Sequence, residues 1–487
     1  MAIESGELAP PVQGTANEPF HVPTEATENA PERSRRVRWG YAAGSLVTGT
    51  VNTLPGLLLL PYLTDTLGVG AALAGLIVLL PKVWSAVLNP LAGRLTDRTT
   101  GRWGARRPYV LFGGLAVAFF LAVTFAGFAG GSAGVWLTAG GFLLTATAFG
   151  FFQVPYAAIP ADITHRTEDR IRLVGGRVAV IGLAALVAGA VGPAVVEAAG
   201  GGIAGHRWAG LFGAGVVLVG ALAAFLGTAR ARSRQVLSSE PSLRRQLAVA
   251  RANGPFRVLF ACAVVQTLAT GCFLAGAPYF ARHVIGDPTA TGVAVAAYVA
   301  PNLLAVGLWS KLAARLGNRA GYTIANLLFL AGCLTLLAAP ALPVALALLL
   351  WGVAGAGHAG QLLCAYAMLP EYIARDTART GRQQAGVFSG VFATGEVLGL
   401  ALGSFAYGMV LQLFGYVSSD TGHAAAQSAG AELGVLLGVT VLPALATAVL
   451  LFLHLRRPPR RRPREAGGSA RLVRPSTSGD DSSGPGP

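Results

Sequence analysis

The chain has 487 residues, of which 53% are hydrophobic and only 12% charged, and its formal net charge is +15. Because soluble domains carry about 25% charged residues, this composition excludes an ordinary soluble protein and predicts an integral membrane protein. The excess of arginine would also suit a nucleic-acid binder. Here the arginines stand in clusters between apolar runs, so we expect the lipid bilayer as a partner and no nucleic acid.

Polar segments flank the chain at both ends. Residues 1–38 are rich in Pro, Glu, Thr and Arg and lack the apolar core of a cleavable signal, which predicts a disordered N-terminal tail. Residues 456–487 are rich in Arg, Pro, Gly and Ser and predict a second disordered tail. The four cysteines lie inside apolar runs without metal-ligand spacing, so we expect neither a disulfide framework nor a metal site.

Apolar runs fill the chain between these tails. A helix needs roughly 20 apolar residues to cross a bilayer, and twelve runs are of suitable length. They are called span one to span twelve here, and they lie near 40–64, 70–93, 108–128, 134–160, 173–198, 208–228, 257–281, 289–312, 321–341, 343–369, 384–415 and 431–454. The pattern predicts an all-α membrane protein with twelve transmembrane helices.

The basic residues set the orientation of these spans. They cluster before span one and after spans two, four, six, eight, ten and twelve, whereas the alternate loops are almost free of cations apart from Arg207 and Arg282. Loops rich in Lys and Arg stay on the cytoplasmic side. We therefore expect both termini, and both tails, in the cytoplasm of a multi-pass plasma-membrane protein.

A long polar segment and an internal repeat divide the chain in two. Residues 229–256 form the longest polar interior stretch and predict a cytoplasmic linker between six-span bundles at 39–228 and 257–455. The sequence YAAIPADITHRT begins at Tyr156 and YAMLPEYIARDT begins at Tyr366, each at the end of the fourth span of its half. Two related six-helix bundles predict the major facilitator fold, with the solute held between the halves near the middle of the membrane.

Three motifs resemble one transporter family. GRLTDRTTGRWGARRPY (Gly93–Tyr109), VPYAAIPADITHRTEDRIRLVGGR (Val154–Arg177) and MLPEYIARDTARTGRQQAGVFSG (Met368–Gly390) occur in the same order as in the glycoside–pentoside–hexuronide:cation symporter family. The melibiose carrier is the best-known type of that family. The resemblance covers about Trp39 to Leu455 and implies a major facilitator transporter of sugar-like solutes.

The resemblance also implies a cytoplasmic gate between spans two and three. The general facilitator motif G-x-L-x-D-R is matched from Gly93 to Arg98, and two further arginines follow downstream. In this interpretation Asp97 lies against a helix N-terminus or an arginine and closes the gate in one state. The alternative is that the arginines only fix the topology. The candidate gate residues are Gly93, Asp97, Arg98, Arg106 and Arg107.

Span two departs from the family at the positions that hold a cation. The melibiose-carrier branch has W-D-A-x-x-D-P there, with two aspartates that bind the coupling cation, whereas this chain has Trp84 to Pro90 with Ser85 and Asn89 at the acidic positions. One helical turn apart, the two neutral side chains share a face and suit a hydroxylated solute. Neutral oxygens offset the dehydration of a cation poorly. We therefore expect no sodium coupling.

Two charged residues stand in the middle of spans. Lys82, one of two lysines in the chain, lies halfway through span two, and Glu396 lies midway through span eleven where the family commonly has Glu-Lys-Leu-Gly. A charge at such depth faces the protein interior and takes a partner. One hypothesis is an ion pair between Lys82 and Glu396 that forms in one access state. The alternative is a separate polar niche for each charge.

Further polar residues on apolar helices complete the candidate binding set. Arg177 fits the family pattern of a cavity arginine, or else it extends to the cytoplasmic surface. Four more residues suit hydrogen bonds to sugar hydroxyls, or else they join helices to one another. They are Gln153, Tyr156, Gln266 and Asn302. A lone histidine, His358, suits either a proton path or a helix contact.

Together these features predict a secondary transporter that moves a small organic solute, sugar- or glycoside-like by the resemblance, through alternating access. If transport is coupled, we expect protons carried by Glu396. The alternative is an exporter of a more apolar metabolite or drug, since the lost carboxylates suit a less polar solute. A membrane enzyme is disfavoured because the sequence has no H-E-x-x-H, no G-x-S-x-G at a strand turn and no pair of intramembrane acids. A sensor is disfavoured because the tails are too short and irregular for an output domain. We expect no catalytic residue and no cofactor.

Overall fold

The computed structural model describes residues 30–99, 103–163, 167–229, 248, 251–381, 385–420 and 425–456. All regular structure in these ranges is helical. Eleven helices are long and apolar enough to cross a membrane, and one bent pair of shorter helices raises the number to 12. The predicted all-α architecture with twelve spans is confirmed.

Each predicted span corresponds to a helix or to a short series of helices. In the first half, span one comprises Ala30–Ala43 and Ser45–Asp65, and spans two to six are Ala71–Asp97, Arg107–Thr124, Gly131–Ile163, Thr167–Ala198 and Gly202–Gly227. In the second half, span seven is Gly254–Tyr279 with a π-helical turn Phe280–Ile285, and span eight is Ala290–Val299, Pro301–Leu304 and Val306–Leu316. Spans nine to twelve are Asn318–Thr335 with the 3₁₀ turn Leu336–Ala341, then Val344–Thr380, Ala385–Leu413, and Ala429–Val439 with Val441–Leu455.

The boundaries differ from the sequence prediction where helices continue beyond the apolar core. The first helix begins at Ala30, inside the predicted tail 1–38, because the Arg- and Glu-containing segment before Trp39 suits a helix as well as a coil. Span ten runs to Thr380, past the predicted end at 369. Most of the predicted linker 229–256 and of the tail from 456 lies outside the described residues.

Glycine allows the helices within each half to approach closely. A Cβ atom on Gly227 would lie 2.4 Å from the Cα of Gly40, and a Cβ on Gly357 would lie 2.5 Å from the backbone nitrogen of Phe329. No side chain fits at such separations. Close packing of small residues, together with the dispersion contacts it allows, is what holds helices together in lipid, where no hydrophobic effect acts between them.

The two halves meet at one face of the bundle. We call it the distal face; there span one ends at Asp65 and span two begins at Ala71, and the opposite terminal face is where span one begins and span twelve ends. A Cβ on Gly408 of span eleven would lie 2.5 Å from the carbonyl oxygen of Ala71, and a Cβ on Gly292 of span eight would lie 2.7 Å from that of Ala190. The halves are therefore in backbone contact toward the distal face.

Span eight is broken within the membrane. Its two parts, Ala290–Leu304 and Val306–Leu316, meet at an angle of 52°. Pro301 lies one turn before the break and supplies no backbone N–H, which leaves a carbonyl of the preceding turn without its helical donor. Asn302 follows that proline, so a polar side chain lies next to the break.

Candidate functional site

Glu396 and Tyr366 form a polar contact inside the second half. The Tyr366 hydroxyl donates a hydrogen bond of 2.9 Å to Oε2 of Glu396, which is half-buried. Tyr366 itself is 51% exposed although it lies well inside span ten. The contact with Glu396 therefore leaves about half of the Tyr366 side chain uncovered within the membrane-spanning part of span ten.

Arg177 lies beside Tyr156, the tyrosine of the first half that matches Tyr366 in the repeat. Its guanidinium lies 5.4 Å from the ring centroid of Tyr156, and its Nε is buried without a hydrogen-bond partner among the described residues. Tyr156 and Tyr366 are matched positions of the internal repeat, and each contacts a charged residue of the following span. The two repeat-matched tyrosines thus contact a cation in the first half and a carboxyl group in the second half.

The hydroxyl of Tyr156 is already engaged in the packing of the first half. It lies 2.8 Å from Oγ of Ser45 and donates to the backbone carbonyl of Tyr41, and the whole side chain is buried. Its ring supports Arg177, while its polar atom joins span four to span one. A hydrogen bond from this hydroxyl to a solute would require one of these contacts to break.

Lys82 has no carboxylate partner in the part of the chain that the structure describes. Its ammonium nitrogen lies 5.8 Å from the ring centroid of Phe142 in span four, and the side chain is half-buried. None of the ion pairs between described residues includes Lys82 or Glu396. The hypothetical Lys82–Glu396 ion pair is therefore not formed in this structure.

Ser85 and Asn89 lie against span four. The Ser85 hydroxyl donates to the carbonyl oxygen of Pro81 at 2.9 Å and lies 3.5 Å from that of Ala146. Oδ1 of Asn89 is 3.0 Å from the position that a Cβ on Gly150 would take. Both residues keep the common face that their spacing predicts, and that face packs on span four.

The other predicted hydrogen-bonding residues fall into two groups. Gln153 accepts a hydrogen bond of 2.7 Å from Thr48, and Gln266 accepts one of 2.9 Å from Tyr322, so both join neighbouring helices. Asn302 differs, because its buried Oδ1 has no hydrogen-bond partner among the described residues. Asn302 therefore keeps an acceptor available near the break in span eight.

The candidate gate lies at the terminal face. Arg107 donates to the carbonyl of Phe225 at 3.1 Å and its guanidinium lies 4.6 Å from that ring, which ties span three to span six. Gly93 faces Val154 of span four, Arg98 is exposed and Arg106 is half-buried. The side chain of Asp97 lies outside the described residues, so its gating role stays a prediction.

Sequence reasoning missed a bridge between the halves at the distal face. Nη1 of Arg282 lies 2.9 Å from Oδ2 of Asp65, and its Nη2 lies 3.6 Å from Glu197. The Tyr416 hydroxyl donates to the other oxygen of Asp65 at 3.0 Å. Asp65 and Glu197 belong to the first half, whereas Arg282 and Tyr416 belong to the second. These four residues are called the distal bridge below.

Backbone hydrogen bonds support the distal bridge. The amide of Gly68 donates to the carbonyl of Ser419 at 3.0 Å, and the amide of Ser419 donates to the carbonyl of Thr64 at 2.8 Å. The loop after span eleven therefore lies across the loop after span one. One signal in the sequence pointed here: Arg282 is an exceptional cation in a cation-poor loop, and Asp65 and Glu197 end spans at the same face.

The described residues include no group of three His, Cys, Asp or Glu side chains able to hold a metal ion.

His358 is buried, with Nδ1 3.3 Å from Oγ1 of Thr270 and its ring stacked on Tyr298 at 5.1 Å. This arrangement matches the helix-contact interpretation of His358. Among the predicted binding residues, the charges of Lys82, Arg177 and Glu396 and the free acceptor of Asn302 remain candidates for contact with a solute.

Comparison with known proteins identifies the family. The family model for the MFS/sugar transport protein matches residues 40–458. The chain belongs to this family. It is 26% identical over 436 residues to the glucuronide carrier protein homolog of Escherichia coli strain K12, covering 85% of this chain and 92% of that protein. It is 24% identical over 405 residues to the isoprimeverose transporter of Lactiplantibacillus pentosus, covering 80% and 83%.

Solved structures share the fold. A bacterial homolog of the human lysosomal transporter Spinster, crystallised in an inward-facing unoccupied conformation, superposes with a TM-score of 0.65 at 15% identity over 87% of this chain and 98% of that chain. A D-xylose–proton symporter gives 0.63 at 14% identity over 87% and 98%. The major facilitator fold and the predicted family resemblance are confirmed. The protein is a secondary transporter of a small solute.

Proposed function

We propose that the protein moves a sugar-like solute across the plasma membrane together with a proton, without sodium. The family description and the names of the two relatives support a carbohydrate solute. We propose that the protein only transports its solute and does not change it chemically. The arginine-rich loops support a terminal face that lies in the cytoplasm.

The contact between Glu396 and Tyr366 carries the proposal of proton coupling. A carboxyl group in the middle of a transmembrane helix is a typical proton carrier. Its bonded partner is a neutral hydroxyl at 2.9 Å, and no cation lies within ion-pair distance among the described residues. Because no fixed positive charge holds Glu396 in the ionised form, the group is free to bind and release a proton as its surroundings change.

The positions of Ser85 and Asn89 support the absence of sodium coupling. Sodium needs oxygen ligands that offset its dehydration, and carboxylates do so best. Here the two positions carry a hydroxyl and an amide, and the hydroxyl already donates to Pro81. These two positions thus offer no carboxylate to a cation.

The packing of the halves supports alternating access. Backbone contacts and the distal bridge join the halves at the distal face, while Tyr366, nearer the terminal end of span ten, is exposed. With the terminal face in the cytoplasm, this arrangement corresponds to a carrier closed to the outside and open to the inside. After the distal contacts separate, the carrier would open to the outside and could bind solute from that side.

Purified protein in proteoliposomes tests the proposal. Uptake of radiolabelled methyl glucuronide and isoprimeverose is measured with an inward proton gradient, an inward sodium gradient or neither, and the recovered solute is analysed chemically. We expect accumulation of unchanged solute with the proton gradient alone. The Glu396→Gln variant should still exchange solute at equilibrium but lose accumulation. Glu371→Gln is the matched control, because Glu371 is exposed at the terminal end of span ten in a surface pair with Arg375.

Two outcomes would contradict the proposal. One is accumulation driven by sodium, which would require a cation site that Ser85 and Asn89 do not supply. The other is unaltered proton-driven accumulation in Glu396→Gln. Efflux of labelled solute from whole cells, without uptake, would instead favour the export of a more apolar compound.

A further inference from the structure

The break in span eight leaves part of the backbone without its helical hydrogen bonds. The ladder stops at the bond of 2.9 Å from the Ala305 amide to Pro301 and resumes at the bond of 3.0 Å from the Trp309 amide to Ala305. Between them, three bonds of a continuous helix are missing, and no hydrogen bond among the described residues replaces them. The groups left over are called the open backbone below. They are the amides of Val306, Gly307 and Leu308 and the carbonyls of Asn302, Leu303 and Leu304.

The open backbone lies at membrane depth. Span eight extends from Ala290 to Leu316, so along the helix its open part is about 22 Å from the distal end and about 16 Å from the terminal end. Lipid offers no hydrogen bonds, and unpaired backbone occurs at such depth only inside protein or beside water. Leu304 is 83% exposed and Leu308 is 70% exposed, so protein does not enclose the break. The open backbone therefore lines a water-filled space.

Contacts on either side of the break place this space where the halves separate. On the distal side span eight packs on span five of the first half, and there Leu303 lies 3.0 Å from the position that a Cβ on Gly182 would take. On the terminal side the Trp309 indole donates to the carbonyl of Ala356 in span ten at 2.9 Å. The part after the break packs mainly on spans nine and ten of its own half. Span eight thus leaves the first half at the break.

Asn302 adds a side-chain acceptor to the open backbone. Its Oδ1 is buried and has no hydrogen-bond partner among the described residues. A buried acceptor without a donor costs free energy, which favours an occupant that donates a hydrogen bond. The break also presents amide donors, because Ala305 supplies no side chain to cap them. Hydroxyl groups match both needs, since each one donates and accepts.

We propose that the open backbone of span eight and Oδ1 of Asn302 form a binding site for the hydroxyl groups of the solute. The carbonyls and Asn302 accept hydrogen bonds from neighbouring hydroxyls, and the amides donate to hydroxyl oxygens. This inference rests on the proposed function and adds to it a site made chiefly of main chain. Carbonyls of a broken helix also suit sodium, but the amide donors beside them repel a cation.

Amide hydrogen exchange of the purified carrier, resolved to single residues by mass spectrometry, tests the site first without any solute. The amides of Val306, Gly307 and Leu308 should exchange rapidly, because they are unpaired and beside water. The amides of Ala294 to Val299, in the continuous part of the same helix, are the internal control and should exchange slowly. Slow exchange throughout span eight would overturn the inference.

Isoprimeverose and methyl glucuronide are then added separately, each in sodium chloride and in choline chloride. We expect at least one sugar to slow exchange of the three open amides about tenfold or more, because bonded amides exchange only after opening. Sodium without sugar should leave their exchange rates unchanged. Protection by sodium alone would overturn the inference and assign a cation to the break. Rapid exchange that neither sugar slows would overturn it as well.

The Asn302→Ala variant tests the side-chain acceptor. Its affinity for the protecting sugar, measured by titration calorimetry, should fall about three- to tenfold, as for one lost hydrogen bond. Asn318→Ala is the matched control, because Asn318 lies at the terminal face and bonds to Glu371 at 2.6 Å. It should keep the parent affinity. Equal affinities of the two variants would remove Asn302 from the site.

Failure of the proposed function is distinguishable, because exchange in the sugar-free carrier involves neither a gradient nor a solute. Slow exchange of the open amides would remove this site and leave proton-driven transport standing. Protection of the break by a sugar without proton-driven accumulation would instead keep the site and contradict the proposed coupling.

Discussion

Nη1 of Arg282 lies 2.9 Å from Oδ2 of Asp65, and this ion pair ties the end of span seven to the end of span one. The Asp65 side chain is 5% exposed, whereas that of Arg282 is 30% exposed. Tyr416 holds the second oxygen of the same carboxylate. Removal of one partner from a buried pair of this kind costs about 3–5 kcal/mol, because the other charge stays buried without compensation. The distal bridge therefore stabilises the state in which the distal face is closed.

The first prediction concerns this closed state. Arg282→Gln should increase the fraction of molecules open at the distal face. Spin labels on cysteines introduced at Leu73 and Leu413, both exposed near the distal ends of spans two and eleven, report the opening by pulsed electron resonance. The four native cysteines are buried, which limits background labelling. We expect a longer distance component that the parent protein lacks.

Arg207→Gln provides the control for that experiment. Arg207 also lies at the distal face, but it donates to the carbonyl oxygen of Ala126 at 2.7 Å within its own half. It should leave the distance distribution unchanged. If both variants open the distal face equally, the effect comes from general loosening and the distal bridge has no specific role.

The second prediction separates the two repeat-matched tyrosines. Tyr156→Phe should lower the free energy of unfolding by about 1–3 kcal/mol, because it leaves the buried partners in Tyr41 and Ser45 without their hydrogen bond. Tyr366→Phe should change stability little, since Tyr366 is half exposed. It should instead reduce proton-driven accumulation, because Glu396 loses its donor. Thermal unfolding and proteoliposome uptake measure the two effects.

An exchange of these phenotypes would contradict the assignment. If Tyr366→Phe unfolds the protein while Tyr156→Phe only slows transport, then the polar contact of Glu396 is structural and Tyr156 faces the solute. Ser404→Ala serves as a neutral comparison in span eleven, because its hydroxyl only donates to the carbonyl of Leu400 on its own helix.

The sequence predicted the spans well because their cause is local. Apolar runs long enough for a bilayer specify helices whatever the rest of the chain does. Helix ends were less predictable: span ten continues to Thr380 because polar helix formers, such as Glu371 and Arg375 four residues apart, extend the helix into water. The repeat likewise placed Tyr156 and Tyr366 at matching positions, but it did not indicate their different partners.

The candidate site was less predictable because helix rotation and long-range contacts decide it. Gln266 resembles a solute ligand in the sequence, yet its carboxamide meets Tyr322 of span nine. Ser85 has the right spacing, but its hydroxyl satisfies a carbonyl of its own helix. Asp65 and Arg282 are 217 residues apart, and no local pattern relates them. Only the packing of the two halves brings such residues together.

The last prediction concerns the glycine contact between spans two and eleven. A Cβ on Gly408 would lie 2.5 Å from the carbonyl oxygen of Ala71, so Gly408→Ala must push the two backbones apart at the distal face. We expect a destabilisation of about 1–3 kcal/mol, as for other overpacked sites, and a shift toward the state open at that face. Gly390→Ala is the matched control in the same span, since a Cβ there meets nothing within 4 Å. The spin-label distance between spans two and eleven should increase in Gly408→Ala and stay unchanged in Gly390→Ala. Equal behaviour of the two variants would mean that the distal closure does not depend on this close approach.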